Sequence, residues 1–391
     1  MQGLYMRLTP FTPDNAGAAT VFGDLPATVV PFDMNGTVST FRNRVGVEPE
    51  SQFQMISALG TREVNYVLGD ASDFADEALK LMDIYGGEFL VLMNGPVSAM
   101  LGMDLQSLAA QAAQRLGRRV IAIETTTSAL HDEGLSKAMM AVYAQVKAEQ
   151  TTSDAVSTAA FRHGVNILGL NAIDHDLPLR KSLLKAIATA TGQQPLSVWG
   201  CLGGWDEWKL APQAQESIVV TASALKLAQA MERDWGIPYR RIDELDLSLA
   251  SSIEPLPGAQ NLKVLVVHEQ LMANMARKVL QAFGCQVIVA SFQKLQRKAK
   301  QDGDIQLKGE QHLVELLASG EYDVLVGDHA LLACVPQEDG PAFIELMHSA
   351  VAPILGAHEP QEETFSPQWQ QMARRVLADA ITTAALLQRE G

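Results

Sequence analysis

LGTREVNYVLGD, residues 59–70, and EFLVLMNGPVSAMLGMDL, residues 88–105, decide how this chain folds. In each, a short run of Val, Leu and Met closes on a glycine, and an amphipathic stretch follows. A strand-length apolar run, a Gly turn and then a helix is the repeating unit of a parallel sheet covered by helices. In the second segment a strand over Glu88–Met93 enters the turn Asn94-Gly95-Pro96, and the spacing predicts a helix over Ser98–Leu116. Gly95 and Pro96 make a tight turn at the C-terminal end of a strand, the edge where open α/β sheets take ligands. The next helix start offers free N–H groups to an anion, although turn formation alone also accounts for both residues.

Outward from this segment, strands are expected at Thr28–Phe32, Val64–Leu68 and Val120–Ile123, with a helix over Asp73–Ile84. A second block opens at VNILGL (Val165–Leu170) and continues with a helix over Leu177–Thr191 and strands at Leu196–Trp199 and Ser217–Val220. Its last helix, Ala222–Trp235, stops at Gly236, a C-cap glycine ahead of Ile237-Pro238. SSIEPLPGAQ (251–260) reads as a linker. The third block runs from KVLVVHEQ through a helix over Leu271–Phe283, a strand Cys285–Ala290 and a strand Asp323–Val326. The expectation is an α/β chain: three Rossmann-like, doubly wound parallel-sheet domains over 1–150, 151–258 and 259–360. A C-terminal helix (361–391) would pack back on the first domain.

The chain has 391 residues, 47% hydrophobic and 19% charged, with a formal charge of −15. That is a globular composition too long for one core. Its acidity repels phosphate backbones, which excludes nucleic acid as a partner. No apolar stretch reaches membrane-spanning length, so no membrane partner is expected. The three cysteines, Cys201, Cys285 and Cys334, are isolated and odd in number, which points to a reducing cytoplasm. The GxGxxG, GxxxxGK[ST] and GxSxG motifs are missing, and with them the chemistry of dinucleotide enzymes, P-loop NTPases and α/β-hydrolases.

Several side chains are candidates for chemistry. His268-Glu269 and Asp328-His329 each follow a third-block strand and could bring acid–base groups to one crevice. Cys201 lies in WGCLGGWDEW, where three indoles could grip a flat ligand or simply hold the loop down. His175, between Asp174 and Asp176, could serve a hard metal or a proton relay, or mark a solvated helix start. Gly102 and Asp104 read as structural. Arg62 and Glu63 could pair, buried or exposed.

The order of these segments resembles the nitrogenase component 1 family. PFTPDNAGAATVF (10–22) and VVPFDMNGTVSTF (29–41) are similar to its N-terminal segments. GTREVNYVLGD matches its Glu-containing strand motif, and NGPVSAMLGMDL its Cys-Pro…Gly-x-Asp loop. VNILG, MERDWGIPY (231–239) and EYDVLVGD resemble later strands and turns, so the likeness spans roughly residues 10–335. The resemblance implies a two-type subunit assembly that takes electrons from an iron-protein-like ATPase and passes them through a cluster. It makes the loops at Asp33, Asn35, Gly36 and Thr37, at Arg62 and Glu63, and at Asn94 to Pro96 with Gly102 and Asp104 cluster-facing or subunit-facing.

The departures from the family pattern are specific. Its Gly-Cys cysteine falls on Thr37, its second loop cysteine on Gly95 or Pro96, and its cofactor-anchoring cysteine on Val220. Soft sulfide-bridged iron wants thiolates, so no cofactor is expected on this chain alone and no metal by its own Cys. Asp33 is the one candidate oxygen ligand, and capping explains it as well. A [4Fe-4S]-type cluster would sit at the interface with a homologous cysteine-bearing subunit. The expected function is the cysteine-poor subunit of a nitrogenase-like reductase; the alternative is a non-redox assembly or binding scaffold. A glycosyltransferase-like enzyme would need a nucleotide-phosphate site, for which the sequence carries no marker.

Overall fold

Strand runs with no polar alternation must be buried on both faces, and the sheets follow from that. The computed structural model describes residues 5–32, 54–55, 79–80, 82–84, 87–126, 128–150, 162–351 and 362–390. These contain three sheets in which every strand pairing is parallel.

The first sheet has the order β2-β1-β3-β4: β1 (Ala27–Phe32), β2 (Gln54–Met55), β3 (Phe89–Asn94) and β4 (Val120–Ile123). All six residues of β3 are buried. The second sheet is β6-β5-β7-β8: β5 (Val165–Leu168), β6 (Pro195–Trp199), β7 (Glu216–Val219) and β8 (Tyr239–Arg241). The third is β11-β10-β9-β12-β13: β9 (Lys263–Val267), β10 (Gln286–Ser291), β11 (Ile305–Gln306), β12 (Val324–Gly327) and β13 (Ala342–Glu345). The strand expected at Val64–Leu68 and most of the helix expected over Asp73–Ile84 lie outside the described residues.

The first domain opens with α1 (Asp14–Thr20), a seven-residue helix buried on every side. It lies against α4 (His131–Glu149). Two glycines allow that approach: a Cβ on Gly134 would stand 1.7 Å from the Asp14 carbonyl oxygen, and one on Gly17 2.1 Å from that of His131. The Asp14 carboxylate fixes the turn ahead of α4, accepting from the Thr126 N–H at 2.7 Å.

The helix expected over Ser98–Leu116 is two helices, α2 (Pro96–Leu101) and α3 (Leu105–Leu116). Gly102 breaks it, with φ at 64°, a left-handed C-cap. Asp104 then caps α3, accepting from the Ser107 N–H at 2.9 Å. The two pieces differ in burial: α3 buries Leu105, Leu108, Ala109 and Ala112, whereas α2 buries Ser98 and leaves Met100 and Leu101 exposed.

In the second domain Asp176 caps α5 (Leu177–Thr191), accepting from Leu179 N–H at 2.7 Å. The short α6 (Trp205–Leu210) follows β6, and α7 (Leu225–Trp235) ends at a left-handed Gly236. The third domain carries α8 (Gln270–Phe283) and α9 (Glu310–Ala318). The N-terminal stretch lies on this domain rather than the first: Glu310 accepts from the N–H groups of Met6, Arg7 and Leu8 at 3.0, 2.9 and 2.6 Å.

The C-terminal α10 (Pro367–Glu390) corrects the expected docking on the first domain. Its buried stripe is Trp369, Ala373, Leu377 and Ala380, and it packs on β13 and the segment joining the second and third domains. Trp369 Nε1 donates to the Glu345 carbonyl at 2.7 Å, Gln370 to Leu249 at 2.9 Å and Arg374 to Glu254 at 2.8 Å. The irregular linker has carbonyls that need donors, and a helix carrying long polar side chains beside its apolar stripe supplies them.

Candidate functional site

Two places in the fold bring polar groups together at the C-terminal ends of strands. The first is the mouth of the first domain, a crevice of about 810 Å³ beyond β3 and β4. Asn94, Ser98, Gly102, Asp104, Thr125 and Lys137 line it. The Asn94-Gly95-Pro96 turn is closed from within: the Ser98 hydroxyl accepts from Gly95 N–H at 3.0 Å, and Thr125 donates to the Asn94 carbonyl at 2.8 Å. Just beyond, Met100 and Leu101 on α2 are 87% and 58% exposed. Asp33, Asn35, Gly36, Thr37, Arg62 and Glu63 lie outside the described residues, so the turn with Gly102 and Asp104 is what the structure gives of the expected interface loops.

The second place is the buried junction of the three domains. His131 is the first residue of α4, Asp174 lies in the turn after β5, and His348 follows β13. Their side chains meet: Asp174 Oδ1 is 2.9 Å from His131 Nε2 and 3.0 Å from His348 Nε2. Asn171 donates to the other carboxylate oxygen at 2.9 Å. Its own Oδ1 accepts from the Ile173 and Asp174 N–H groups. Gln293, from the loop after β10, brings its amide nitrogen to 3.0 Å from His131 Nε2.

His268 stacks on His348, with centroids 4.0 Å apart. Both of its ring nitrogens are engaged, Nδ1 by Glu269 N–H at 2.7 Å and Nε2 with the Met347 carbonyl at 2.8 Å. Asp328 accepts the backbone N–H of His348 at 2.8 Å.

Burial sets the charges here. It opposes ionisation of Asp174, but His131 and His348 pull that carboxyl well below its ordinary range. His131 is raised, Asp174 outweighing desolvation, whereas His268 is held well below the imidazole range by burial and by His348. Burial and Asp174 push the Glu269 carboxyl up to about 8, against N–H groups donated by Ala222, Met272 and Leu271.

Of the expected third-block pairs, His268, Glu269 and Asp328 reach this junction. His329 does not; it is exposed and set against Phe343, because a residue next to an inward Asp at the start of a 3-10 turn faces outward. His175 is buried, one ring nitrogen at the Asn171 backbone, with burial lowering its pKa to about 4. That rules out the solvated helix start. His131 escaped the sequence reading altogether. It lies 43 residues from Asp174, and His348 lies 174 beyond Asp174; such separations leave no local signature.

The WGCLGGWDEW loop is held down by its own rings. Trp199 and Trp208 are buried and stack at 5.3 Å, and the Trp208 N–H donates to the Val198 carbonyl at 2.6 Å. Cys201 is buried with Arg180 donating to its sulfur at 3.5 Å. Burial pushes the Cys285 thiol up to about 12, and burial with Glu310 pushes Cys334 up to about 11. The three sulfurs belong to separate elements, so the thiols of this chain do not fit an iron–sulfur cluster. Val220, the position matched to a cofactor-anchoring cysteine, is buried at the end of β7. Its N–H is spent on the Leu168 carbonyl at 2.8 Å.

Comparison with known proteins places this geometry. Residues 34–245, more than half of the chain, match the family model of nitrogenase component 1 type oxidoreductases. Among solved structures, "Nitrogenase Cp1 at pH 6.5" superposes with a TM-score of 0.70 at 14% identity, covering 98% of this chain and 95% of that one. "Nitrogenase Cp1 at pH 5" gives 0.68 at 13% identity, covering 98% and 91%. No curated protein sequence matches. With its three parallel sheets in the component 1 arrangement, the chain belongs to the nitrogenase component 1 type oxidoreductase family.

Proposed function

We propose that this chain is the cysteine-poor subunit of a nitrogenase-like reductase complex. Its companion is a homologous, cysteine-bearing component 1 subunit that holds the [4Fe-4S]-type cluster, and its electron source is an iron-protein-like ATPase. The observation that carries the reading is the first-domain mouth. Next to the family's subunit-facing loop, α2 turns Met100 to solvent at 87% exposure and Leu101 at 58%. Large apolar side chains at such exposure, beside a crevice, are what an unfilled protein interface looks like.

This chain supplies shape and surface in the complex. Its junction presents imidazole, carboxyl and amide groups and no thiolate, so electron storage falls to the companion. Family membership allows an alternative, a non-redox assembly scaffold, and the absence of thiols at Gly95, Pro96 and Val220 favours that version. One experiment separates them: anaerobic co-purification with the cysteine-bearing homologue, followed by iron and labile-sulfide counts and a redox titration. A heterodimer with a reducible cluster supports the reductase subunit. A stable but iron-free, redox-silent complex supports the scaffold. Stoichiometric iron and sulfide on this chain by itself overturns both.

A further inference from the structure

We infer that His131, Asp174 and His348 form a binding site for one divalent transition-metal ion of the zinc and iron(II) class, with one ligand contributed by each of the three domains. The inference goes beyond the subunit role and does not depend on it.

Three observations converge. The donor atoms all lie within 4.8 Å of one another, and their residues are 1%, 1% and 7% exposed. Two imidazole nitrogens and a carboxylate oxygen suit borderline first-row divalent ions. Ligands about 2.0–2.1 Å from a tetrahedral ion stand roughly 3.3 Å apart; here the two imidazole–carboxylate spacings are 2.9 and 3.0 Å. Those two pairs open by a few tenths of an ångström to take the ion, and the two imidazole nitrogens stand within 4.8 Å of each other.

Gln293 supplies the second argument. Its side-chain amide lies 3.0 Å from His131 Nε2, which also faces Asp174 Oδ1 at 2.9 Å. With the amide oxygen turned to the site, Gln293 Oε1 stands as a fourth donor beside the two imidazoles and the carboxylate.

The third argument is the surround. Asn171 holds the free oxygen of Asp174, and Asp328 fixes the backbone of His348, the outer contacts that orient ligands in metal centres. His268, both nitrogens spent, wedges His348 in place as a spacer. The adjoining void is about 10 Å³, lined by His131, His268, Gln293, His348 and apolar side chains. On that side there is room for an ion and at most one water; Asp174 and Gln293 also line a separate crevice of about 420 Å³.

The test uses the full chain, expressed alone and stripped with a chelator. Zn²⁺ and, anaerobically, Fe²⁺ are titrated back and counted, and the zinc form is examined by X-ray absorption. The expected result is one ion per chain without labile sulfide, a first shell of two imidazoles with oxygen or nitrogen only, and melting several degrees higher than the stripped protein. The variant pair Asp174→Asn with His348→Gln should bind at least 100-fold more weakly. Should that variant misfold, the wild-type absorption spectrum carries the decision. No retained ion, sulfur in the first shell, or a folded variant with unchanged affinity overturns the site. Failure of the chain to pair with a cluster-bearing partner would leave all these readouts unchanged.

Discussion

The junction of the three domains and the mouth of the first domain sit at the same kind of address, the C-terminal edge of a parallel sheet, and are built in opposite ways. At the junction one carboxylate ties the three domains together: Asp174 of the second meets His131 of the first and His348 of the third. At the mouth the polar groups of the Asn94–Pro96 turn are satisfied locally, and the next residues out are solvent-facing Met100 and Leu101. One region is tied together by side chains of this chain. The other leaves large apolar side chains exposed at its edge, the surface on which the proposed subunit pairing rests.

The contrast breaks most directly at Gly134. Alanine there drives a methyl group into backbone, 1.7 Å from the Asp14 carbonyl oxygen, and α1 and α4 must part. Overpacking of this kind costs roughly 3 kcal/mol, and His131, three residues earlier on α4, moves with it. Chemical denaturation of Gly134→Ala should show that loss. An unchanged midpoint would mean the junction is looser than its hydrogen bonds imply.

At the mouth the effect should fall on pairing and leave folding alone. The double variant Met100→Glu and Leu101→Glu changes exposed positions, where stability moves by about 0.5 kcal/mol or less. Affinity for the cysteine-bearing companion should drop about 100-fold, close to 2.8 kcal/mol. Calorimetry on the pair, with thermal melts of the variant alone, checks both halves. Equal affinities would remove the mouth from the interface.

Glu310 tests whether the N-terminal stretch belongs to the region that this chain ties together. Burial opposes its ionisation, but the N–H groups of Leu8, Arg7 and Met6 prevail and hold the carboxyl below its ordinary 4.5. A depressed carboxylate contributes stability above its unfolded value and loses it as pH falls through the folded one. Glu310→Gln should therefore cost about 2 kcal/mol at neutral pH. The gap to wild type should narrow as pH falls below the ordinary carboxylate value of 4.5. Urea midpoints at pH 7 and pH 3.5 make the comparison; a gap that widens in acid contradicts the assignment.

Much of the architecture was readable from the residues. β4 and α5 begin and end where Val120–Ile123 and Leu177–Thr191 were expected, because apolar runs and cap residues are local signals. α1 was not, since DNAGAAT has no apolar stripe and is helical only because α4 covers it. Docking of α10 depends on carbonyls at 249 and 254, far from the helix in sequence. The junction fared worst. His268, Glu269 and Asp328 follow strands, and strand ends can be found by eye; His131 begins a helix, and Asp174 was noticed only as a neighbour of His175. A site assembled from three domains has no spacing to detect, so only the topology reveals it.

The smallest effect is at Gly102, and it separates backbone from packing. A Cβ there meets nothing within 4 Å, yet φ is 64°. Alanine therefore costs only the left-handed conformation, about 1 kcal/mol. The more informative consequence is directional. Alanine favours one continuous helix over α2 and α3, the reading that periodicity alone suggested, and so swings Met100 and Leu101 away from their present aim. If the mouth docks a companion, Gly102→Ala should weaken pairing by more than its own stability loss. Gly102→Asn, which tolerates a left-handed backbone, should restore most of the affinity. A pairing loss no larger than the stability loss, with no rescue by asparagine, would mean the turn shapes the first domain without presenting it to anyone.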